Sequence, residues 1–349
     1  MSDLQTEGVP GLDLGRFREW YDGQRPGEVD GELRAQVIAG GKSNLTYEVT
    51  DGESWWIVRR PPLGHVQATA HDMGREYTAM SALAETDVPV PRTYAHCADP
   101  DVLGAPFYVM EKVDGVAYRR ASELDQLGAE RTSALAGRLV GVLAALHAVD
   151  PHEVGLGEFG RPEGFLERQV RRWGKQLEGS KTREHPDADE LHRLLSERLP
   201  ADDPSVVGIV HGDYRLDNCL VASDGQSGDQ IRAVVDWEMA TLGDTRTDVA
   251  LMLVYETLGA SAGGDLVSDV AKARGWPGNQ EQLAAYTAAS GREPGEMGWH
   301  LALAYFKLAV ILEGIHYRFL QGQTVGEGFD RIGEGFDLII AAGLAEVRS

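Results

Sequence analysis

Four polar residues stand at spacings that could support phosphoryl transfer. His211 is followed by Asp213 two residues later and by Asn218 seven residues later, and Asp236 ends the next apolar run. A phosphoryl group passes through a loose, highly charged transition state, so the protein must orient a hydroxyl and hold Mg²⁺ rather than form covalent bonds. These residue types at this spacing therefore predict transfer of a phosphoryl group.

Each of these side chains has a role that its chemistry allows. The carboxylate of Asp213 can accept the proton of an attacking hydroxyl. Asn218 and Asp236 supply hard oxygen ligands of the kind that bind Mg²⁺ or Mn²⁺ together with nucleotide phosphates. We expect His211 to pack and to position the loop, and Asp217 to be a solvated or loop-bonding residue.

The apolar runs around these residues predict a hairpin that positions them. Cys219–Val221 and Ile231–Val235 are short buried strands by composition, and the glycine-containing turn Ser223–Gln230 lies between them. Such a hairpin would bring Asn218 and Asp236 together. Taken alone, Asp236 could equally be a turn or cap residue.

The first part of the chain predicts a small antiparallel meander. An amphipathic helix over Leu12–Tyr21 precedes three strands, Leu33–Ile38, Leu45–Thr50 and Trp55–Arg60, which are separated by glycine-containing turns. A helix over Ala68–Leu83 follows, and the proline-containing stretch after it ends that helix.

The rest of the chain is mostly helical in pattern. Phe107–Val113 is predicted to be the last strand of the first part, and Glu130–Val149 a core helix with leucines every three to four residues. The charged residues 161–199 predict a helical insert on the surface. Further helices are predicted at about 246–258, 268–274, 279–290, 297–320 and 328–346.

Three motifs resemble the aminoglycoside phosphotransferase and choline kinase family. They are H-G-D-Y-R-L-D-N at 211–218, D-W-E at 236–238 and L-G-D-T-R-T-D at 242–248. Gly212 stands where protein kinases usually have Arg, which favours the small-molecule branch. Within the family, the chain is most similar to the broad bacterial group related to the kinase-like domain of some acyl-CoA dehydrogenases, from about Gly40 to the C-terminal helices.

The resemblance implies an α+β, bilobal protein-kinase-like fold. We expect a small N-terminal nucleotide-binding lobe with an antiparallel sheet over residues 1–113, a hinge at 110–115, and a larger, mostly helical catalytic and substrate-binding lobe over 116–349. Asp244 and Asp248 are expected to stabilise the second lobe, with Asp244 capping the helix that starts near Arg246.

The resemblance also implies where the nucleotide binds. The turn that contains Gly41, Ser43 and Asn44 is similar to the family's nucleotide-covering loop, whose glycines let backbone N–H groups approach phosphates. An ordinary hairpin turn is the alternative. Main-chain contacts to the base are expected from Met110, Glu111 and Val113.

Arg59 takes the position of the family's phosphate-binding lysine. Its fork can grip phosphate oxygens, although its geometry differs from that of a lysine point charge. Glu76 is the expected ion-pair partner, and Glu85 at the helix end is a weaker candidate. Arg60 faces the other side of the pleat and is expected to be a solvated end.

Composition excludes several classes of partner. The 349 residues carry 33 basic and 55 acidic side chains, a net charge of -22, which argues against nucleic acid and anionic membranes as partners. Cys97 and Cys219 lie far apart without metal-ligand spacing, so we expect neither a disulfide framework nor a zinc site. No secretion signal or long apolar run is present, and a cytoplasmic location is expected.

The acceptor is less well defined by the sequence. Residues 255–320 contain seven Asp/Glu and five Lys/Arg, so this part of the chain is nearly neutral and gives no support for a polycationic antibiotic. A hydroxylated metabolite or a hydroxyacyl thioester is at least as plausible. Four polar residues near 316 could touch the acceptor, but a solvated helix face is favoured. They are Glu313, His316, Tyr317 and Arg318.

Two functions remain open. The first is an O-phosphotransferase that uses ATP, or GTP, with Mg²⁺ to phosphorylate a hydroxyl of a small molecule. The second is a nucleotide-binding pseudokinase that regulates a partner. Intact Asp213, Asn218 and Asp236 favour the enzyme, while arginine at the lysine position, Arg59, keeps the alternative open.

Overall fold

The computed structural model describes residues 4–6, 9–38, 44–63, 72–223, 228–261, 267–322 and 335–349. The chain packs as two compact units. The first comprises Met1–Gly115 and Arg232–Ala240, and the second comprises Val116–Ile231 and Thr241–Ser349. The return of Arg232–Ala240 to the first unit is not evident from the sequence, and it places Asp236 there.

Alternating apolar residues build an antiparallel sheet in the first unit. Its strand order is β1-β2-β3-β5-β4, and each pair of neighbours is antiparallel. The predicted meander is confirmed, but the sequence reading missed the edge strand β4. The strands are β1 Arg34–Val37, β2 Leu45–Thr50, β3 Trp55–Arg60, β4 Thr93–Cys97 and β5 Phe107–Glu111.

Helices pack on this sheet. In α1 (Leu14–Gln24), Phe17 and Trp20 contact Phe107 with ring centroids 6.3 and 4.6 Å apart. Helix α2 (Met73–Leu83) begins after Asp72, whose side chain accepts a hydrogen bond from the Arg75 N–H at 3.0 Å. The predicted start of α2 near Ala68 lies outside the described residues. A short helix, α3, spans Pro100–Leu103.

Arg60 is buried, so the prediction of a solvated end is wrong. Its Nη1 donates to the carbonyl oxygens of Gly11 at 2.6 Å and Leu103 at 2.7 Å. Side chains alternate across a strand, as predicted. The face to which Arg60 points is covered by the segment at Gly11 and by the end of α3 at Leu103. The guanidinium therefore cross-links three parts of the first unit.

Strand pairs and helices form the second unit. The strand β6 (Val207–Val210) pairs antiparallel with β9 (Thr241–Asp244). The predicted hairpin is present, because β7 (Cys219–Ser223) and β8 (Asp229–Val234) form a two-stranded sheet, and the division between the units falls within β8.

Long amphipathic helices supply the core of the second unit. The predicted leucine stripe of α5 is buried. The two cysteines of the chain, Cys97 in the first unit and Cys219 in the second, are buried free thiols. The predicted helix at 268–274 is a single 3₁₀ turn at Val270–Lys272. The helices are α4 Ala121–Leu127, α5 Ala129–Ala148, α6 Phe165–Ser180, α7 Pro186–Glu197, α8 Arg246–Ser261, α9 Asn279–Ser290, α10 Gly298–Leu320 and α11 Phe336–Arg348.

Helices α6 and α7 belong to the core rather than to a surface insert, so that prediction is wrong. Trp173 and Leu177 of α6 and Leu191 and Leu195 of α7 are buried. Both helices pack against α10. The charged residues occupy only the outer faces, because apolar residues recur every three to four positions between them.

Glu313 of α10 is also buried, in contrast to the expected solvated face. Its Oε1 accepts hydrogen bonds from the Thr182 N–H at 2.8 Å, the Thr182 hydroxyl at 2.6 Å and His185 Nε2 at 3.1 Å. Tyr317 and Arg318 are exposed, as predicted. Glu313 therefore holds the connection between α6 and α7.

Helix α10 is long and apolar enough to span a membrane by length and composition, but 67% of its apolar window is buried in the fold. It is therefore a core helix of the second unit. Its buried residues extend beyond one face and include Phe306 and Val310.

The burial of Arg60 predicts a large effect on stability. Arg60→Ala leaves the buried Leu103 carbonyl and the partly buried Gly11 carbonyl without their donor, so we expect the free energy of unfolding to fall by about 2–4 kcal/mol. Urea unfolding followed by tryptophan fluorescence measures it. Arg92→Ala, at an exposed position, is the matched control, and equal stabilities for the two variants would contradict this account.

Candidate active site

The segment 211–218 leaves β6 through a tight turn. Gly212 has a φ of 83°, a left-handed conformation that glycine adopts without strain. Asn218 follows in a 3₁₀ turn, Leu216–Asn218, directly before β7. The turn therefore holds Asp213 and Asn218 on one short loop, which we call the catalytic loop.

Asp248 of α8 binds the backbone of this loop. Its Oδ2 accepts the His211 N–H at 2.6 Å and its Oδ1 accepts the Gly212 N–H at 2.8 Å. His147 Nε2 lies 3.5 Å from Oδ2. Burial opposes ionisation, but His147, His211 and these backbone hydrogen bonds lower the pKa of Asp248 below its usual value. Asp248 stabilises the second unit, as predicted.

Asp244 caps α8, as predicted. Its Oδ1 accepts the Arg246 N–H at 2.9 Å, and its Oδ2 lies 3.1 Å from His300 Nε2. Burial opposes ionisation, but hydrogen bonds from His300 and Arg246 lower the pKa of Asp244 to about 2. The start of α8, which carries Asp248, is therefore fixed.

Both carboxylate oxygens of Asp213 have hydrogen-bond donors. The Tyr255 hydroxyl donates to Oδ1 at 2.8 Å, and Asn218 Nδ2 donates to Oδ2 at 3.0 Å and to the Asp213 carbonyl at 2.8 Å. Arg215 Nε lies 3.4 Å from Oδ2. The carboxylate is thus oriented within the second unit, as a general base requires.

Neighbouring residues support the loop. His211 is buried and its Nδ1 accepts the Asp213 N–H at 3.2 Å, which agrees with its predicted positioning role. Asp217 Oδ2 lies 3.3 Å from Arg215 Nη1, so Asp217 bonds within the loop rather than facing solvent. Burial raises the pKa of Asp217, although Arg215 opposes it.

Lys307, which was not predicted from the sequence to be a site residue, contacts the same loop. The Lys307 ammonium donates a hydrogen bond to the Gly212 carbonyl and lies 5.4 Å from the centre of the Trp173 indole. Burial lowers the pKa of Lys307 to about 8. Lys307 is the only lysine in an otherwise apolar stretch of α10, which is the signal that could have identified it.

In the first unit, Arg59 lies between two carboxylates. Its Nε is 3.4 Å from Glu76 Oε2, and its Nη2 donates a hydrogen bond to Asp236 Oδ1. The predicted ion pair with Glu76 is present, whereas Glu85 is exposed beyond the end of α2. Burial lowers the pKa of Arg59, but the facing carboxylates outweigh it and raise the pKa, so the guanidinium stays charged.

A hydrogen-bond network extends this cluster. Asn44 Nδ2 donates to Glu238 Oε2 at 3.0 Å and to Glu76 Oε1 at 3.3 Å, and the Tyr108 hydroxyl donates to Glu76 Oε2 at 3.0 Å. Tyr108 and Glu238 were not predicted. Glu238 could have been found from the D-W-E motif, because it lies two residues after Asp236.

Asp236 has a φ of 70°, the only positive φ among the non-glycine residues that the structure describes. Such backbone strain, of order 1–3 kcal/mol, persists only where the surroundings impose it and is common at functional sites. Trp237, fully buried, donates its Nε1–H to the Val234 carbonyl at 2.9 Å and helps to impose it.

The predicted hinge strand ends at Glu111 rather than at Val113. Met110 pairs with Ile57 on one side and Thr93 on the other, and the Glu111 N–H donates to the Arg92 carbonyl at 2.8 Å. Much of this main chain is therefore already hydrogen-bonded within the sheet. Of the three residues predicted to contact the base, Val113 lies after the end of the strand and takes no part in the sheet.

The structure thus gathers the predicted residues into two groups. Asn44, Arg59, Glu76 and Asp236 meet in the first unit, and Asp213 meets Asn218 in the second. Gly41 and Ser43 lie outside the described residues. Within the described ranges no group of three or more His, Cys, Asp or Glu side chains could hold a metal ion. The pairing of Asn218 with Asp236 at one ion stays a prediction.

Known proteins agree with this arrangement of motifs. Residues 34–299 match the phosphotransferase enzyme family. The chain belongs to this family. A Ralstonia eutropha protein provisionally named an aminoglycoside phosphotransferase has a crystal structure that matches with a TM-score of 0.81 and 30% identity, covering 96% of this chain and 98% of that one. The predicted family and the α+β kinase-like fold are confirmed.

Other proteins similar to this chain differ from it in length and name. Rat acyl-CoA dehydrogenase family member 11 is 34% identical over 293 residues, which cover 82% of this chain. The chain spans only 37% of that relative's length. The GDP and kanamycin complex of the aminoglycoside phosphotransferase APH(2'')-IIIa shares the fold with a TM-score of 0.59 and 16% identity, over 94% of this chain and 98% of that one.

A buried acid, Glu256, lies next to Tyr255 in α8. Glu256 is 7% exposed, and Gln282 Nε2 donates a hydrogen bond to its Oε2. Burial raises the pKa of Glu256 to about 7, although the hydrogen bond from Gln282 opposes it. The folded state therefore binds a proton that the unfolded state loses near pH 4.5.

The pKa of Glu256 predicts a pH-dependent stability. Its contribution is fully present below about pH 4.5 and is lost as the pH rises through about 7. Glu256→Gln mimics the protonated acid, so we expect it to be near neutral at pH 4.5 and to raise the free energy of unfolding by up to about 3 kcal/mol at pH 8.

Urea unfolding at both pH values measures this difference. Glu153→Gln, at an exposed position, is the matched control and should show none. A Glu256→Gln variant whose stability relative to the wild type is the same at pH 4.5 and pH 8 would contradict the account.

Proposed function

We propose that this family member is an ATP-dependent O-phosphotransferase that moves the γ-phosphate to a hydroxyl of a small molecule. The observation that supports it most is the geometry of Asp213. Its carboxylate is held by Tyr255 and Asn218, and the backbone of its loop is held by Asp248. Such a carboxylate suits a general base, which must be oriented before the acceptor arrives.

The other predicted residues receive roles in this proposal. Mg²⁺ or Mn²⁺ would bind through Asn218 and Asp236 with nucleotide phosphates completing its oxygen ligands. Arg59, held by Glu76, would contact phosphate oxygens. The remaining nucleotide contacts are proposed for Gly41, Ser43 and Asn44 around the phosphates and for Met110, Glu111 and Val113 around the base.

GTP is an alternative co-substrate. The solved structure of APH(2'')-IIIa contains GDP, and it shares only the fold with this chain. The base contacts proposed here use main-chain groups, which distinguish adenine from guanine through their donor and acceptor pattern. A comparison of ATP with GTP therefore belongs in every assay.

The acceptor that we propose is a neutral or anionic hydroxyl compound, and hydroxyacyl thioesters come first. A relative with this domain is named as an acyl-CoA dehydrogenase family member. Two cations lie at the catalytic loop of this chain: Arg215 is part of it and lies 3.4 Å from Asp213 Oδ2, and Lys307 donates a hydrogen bond to its Gly212 carbonyl. They disfavour a polycationic aminoglycoside next to Asp213, because like charges at close range repel. Sugars and amino alcohols complete the panel.

A pseudokinase is the second candidate. The observation that favours it is the position of Arg59, whose Nε and Nη2 both face carboxylates of the protein, Glu76 and Asp236. A guanidinium engaged in this way has fewer donors left for phosphate. In this reading the chain binds nucleotide and regulates a partner without transfer.

Arg59 provides a prediction about nucleotide binding. Arg59→Ala removes the proposed phosphate contact, so we expect the KM for ATP to rise and kcat to fall, each by roughly 10-fold or more. Arg59→Lys should retain part of the activity, because the charge survives while the fork is lost.

Steady-state kinetics with varied ATP measures these effects. Arg92→Ala, an exposed arginine of the first unit, is the control and should leave both constants unchanged. Arg60 is unsuitable as a control because it is buried. Wild-type kinetics in Arg59→Ala would remove Arg59 from the nucleotide site.

The decisive experiment for the proposed function uses Asp213→Asn. This variant keeps size and polarity but removes the basic oxygen, so we expect kcat to fall about 10²- to 10⁴-fold with ATP affinity changed only a few-fold. Release of ADP or GDP is measured over hydroxyacyl thioesters, sugars, amino alcohols and aminoglycosides, with Mg²⁺ and with EDTA.

The outcomes separate the two candidates. Mg²⁺-dependent transfer by the wild type that is lost in Asp213→Asn supports the enzyme. Wild-type protein that binds nucleotide and phosphorylates nothing in the panel supports the pseudokinase. Full kcat in Asp213→Asn would leave an enzyme but exclude this base, and turnover in EDTA would exclude the metal.

A further inference from the structure

Helix α8 presents two polar side chains to the catalytic loop from one face. Asp248 and Tyr255 are seven residues apart, which is about two turns, so they lie on the same side of the helix. Asp248 accepts the backbone N–H groups of His211 and Gly212. Tyr255 donates its hydroxyl to Asp213 Oδ1 at 2.8 Å. One rigid element thus holds both the backbone and the carboxylate.

The Tyr255 phenol is built into the fold. The Arg215 guanidinium lies over its ring, 4.8 Å from the centroid, and this same arginine lies 3.4 Å from Asp213 Oδ2. Burial, and then the charge of Asp213, raises the pKa of Tyr255 well above its usual value. The hydroxyl therefore stays protonated and acts as a donor to Asp213.

One hydrogen-bond donor by itself would leave the Asp213 carboxylate free to rotate. The terminal torsion of an aspartate has a broad energy profile, so a single hydrogen bond fixes it poorly. Asn218 holds Oδ2 from within the loop, and Tyr255 holds Oδ1 from α8. Two donors on different oxygens define the carboxylate plane and hence the direction of the remaining lone pairs.

We propose that Tyr255 is a positioning residue that sets the orientation of the Asp213 carboxylate toward the acceptor hydroxyl. Its effect on turnover rests on the proposed function. The loop motif itself does not contain this donor, since Tyr255 comes 42 positions after Asp213. Lys307 complements it by holding the Gly212 carbonyl from α10.

The test is Tyr255→Phe, which removes one oxygen and leaves the ring beneath Arg215. We expect kcat to fall about 10- to 100-fold because a small misplacement of a catalytic group is costly, with the KM for ATP changed less than about threefold. Tyr47→Phe is the control. It removes another buried hydroxyl, which donates to the Pro10 carbonyl at 2.7 Å, and should leave kcat unchanged.

A double-mutant cycle separates positioning from general damage. In the Asp213→Asn background, Tyr255→Phe should change the residual kcat by less than about twofold, because the group that it orients is no longer a base. Tyr255→Phe with wild-type kcat overturns the proposal. So does an equal loss of kcat in both backgrounds, since Tyr255 would then act elsewhere.

The wild type, the two single variants and the double variant are also compared by urea unfolding, which needs no acceptor. If the wild type transfers phosphate to nothing in the panel, the proposed function fails. The unfolding data alone then test whether Tyr255 and Asp213 are energetically coupled. Non-additive losses of stability for Tyr255→Phe and Asp213→Asn support the coupling. Additive losses overturn it.

Discussion

The buried carboxylate of Asp248 is the interaction on which the catalytic loop depends. A charge without solvent is stable only when it is paired and hydrogen-bonded. Asp248 obtains this from two backbone N–H groups of the loop, at His211 and Gly212, and from its place in the first turn of α8, where the helix dipole favours a negative charge. The loop conformation and the charge of Asp248 therefore stabilise each other. The position of Asp213 depends on these hydrogen bonds between Asp248 and the loop backbone.

The first unit solves a similar problem with a cation. Arg59 is almost buried, and its charge is balanced by Glu76 and Asp236. Removing either carboxylate would leave a poorly compensated guanidinium, which costs more than the pair contributes. This explains why the strained backbone at Asp236 is tolerated. The hydrogen bond to Arg59 and the burial of Trp237 both oppose the roughly 1–3 kcal/mol that such a conformation costs.

Local patterns predicted the fold well where one face of an element is apolar. The meander and the leucine stripe of α5 follow from strand and helix periods, whereas the Arg59–Glu76 pair was predicted from the resemblance to the family. Spacing could not reveal that Arg60 is covered, because the covering segments near Gly11 and Leu103 are distant in the chain. Tyr255 escaped for the same reason, since its role depends on packing between α8 and a loop 42 residues earlier. Long-range packing decides these residues, and periodicity carries no information about it.

Net charge is a poor guide to the acceptor, and distance explains why. The chain carries -22 overall, yet Arg215 and Lys307 lie at the catalytic loop itself. Charges on the remote surface are screened within roughly 8–10 Å at physiological salt, whereas partly buried charges near the reacting group are screened much less. An acceptor bound at Asp213, as proposed, would therefore experience these two cations and the loop carboxylates more strongly than the acidic surface. In the proposed transferase, a polycation would gain little there, and a neutral or anionic hydroxyl compound would fit the local field better.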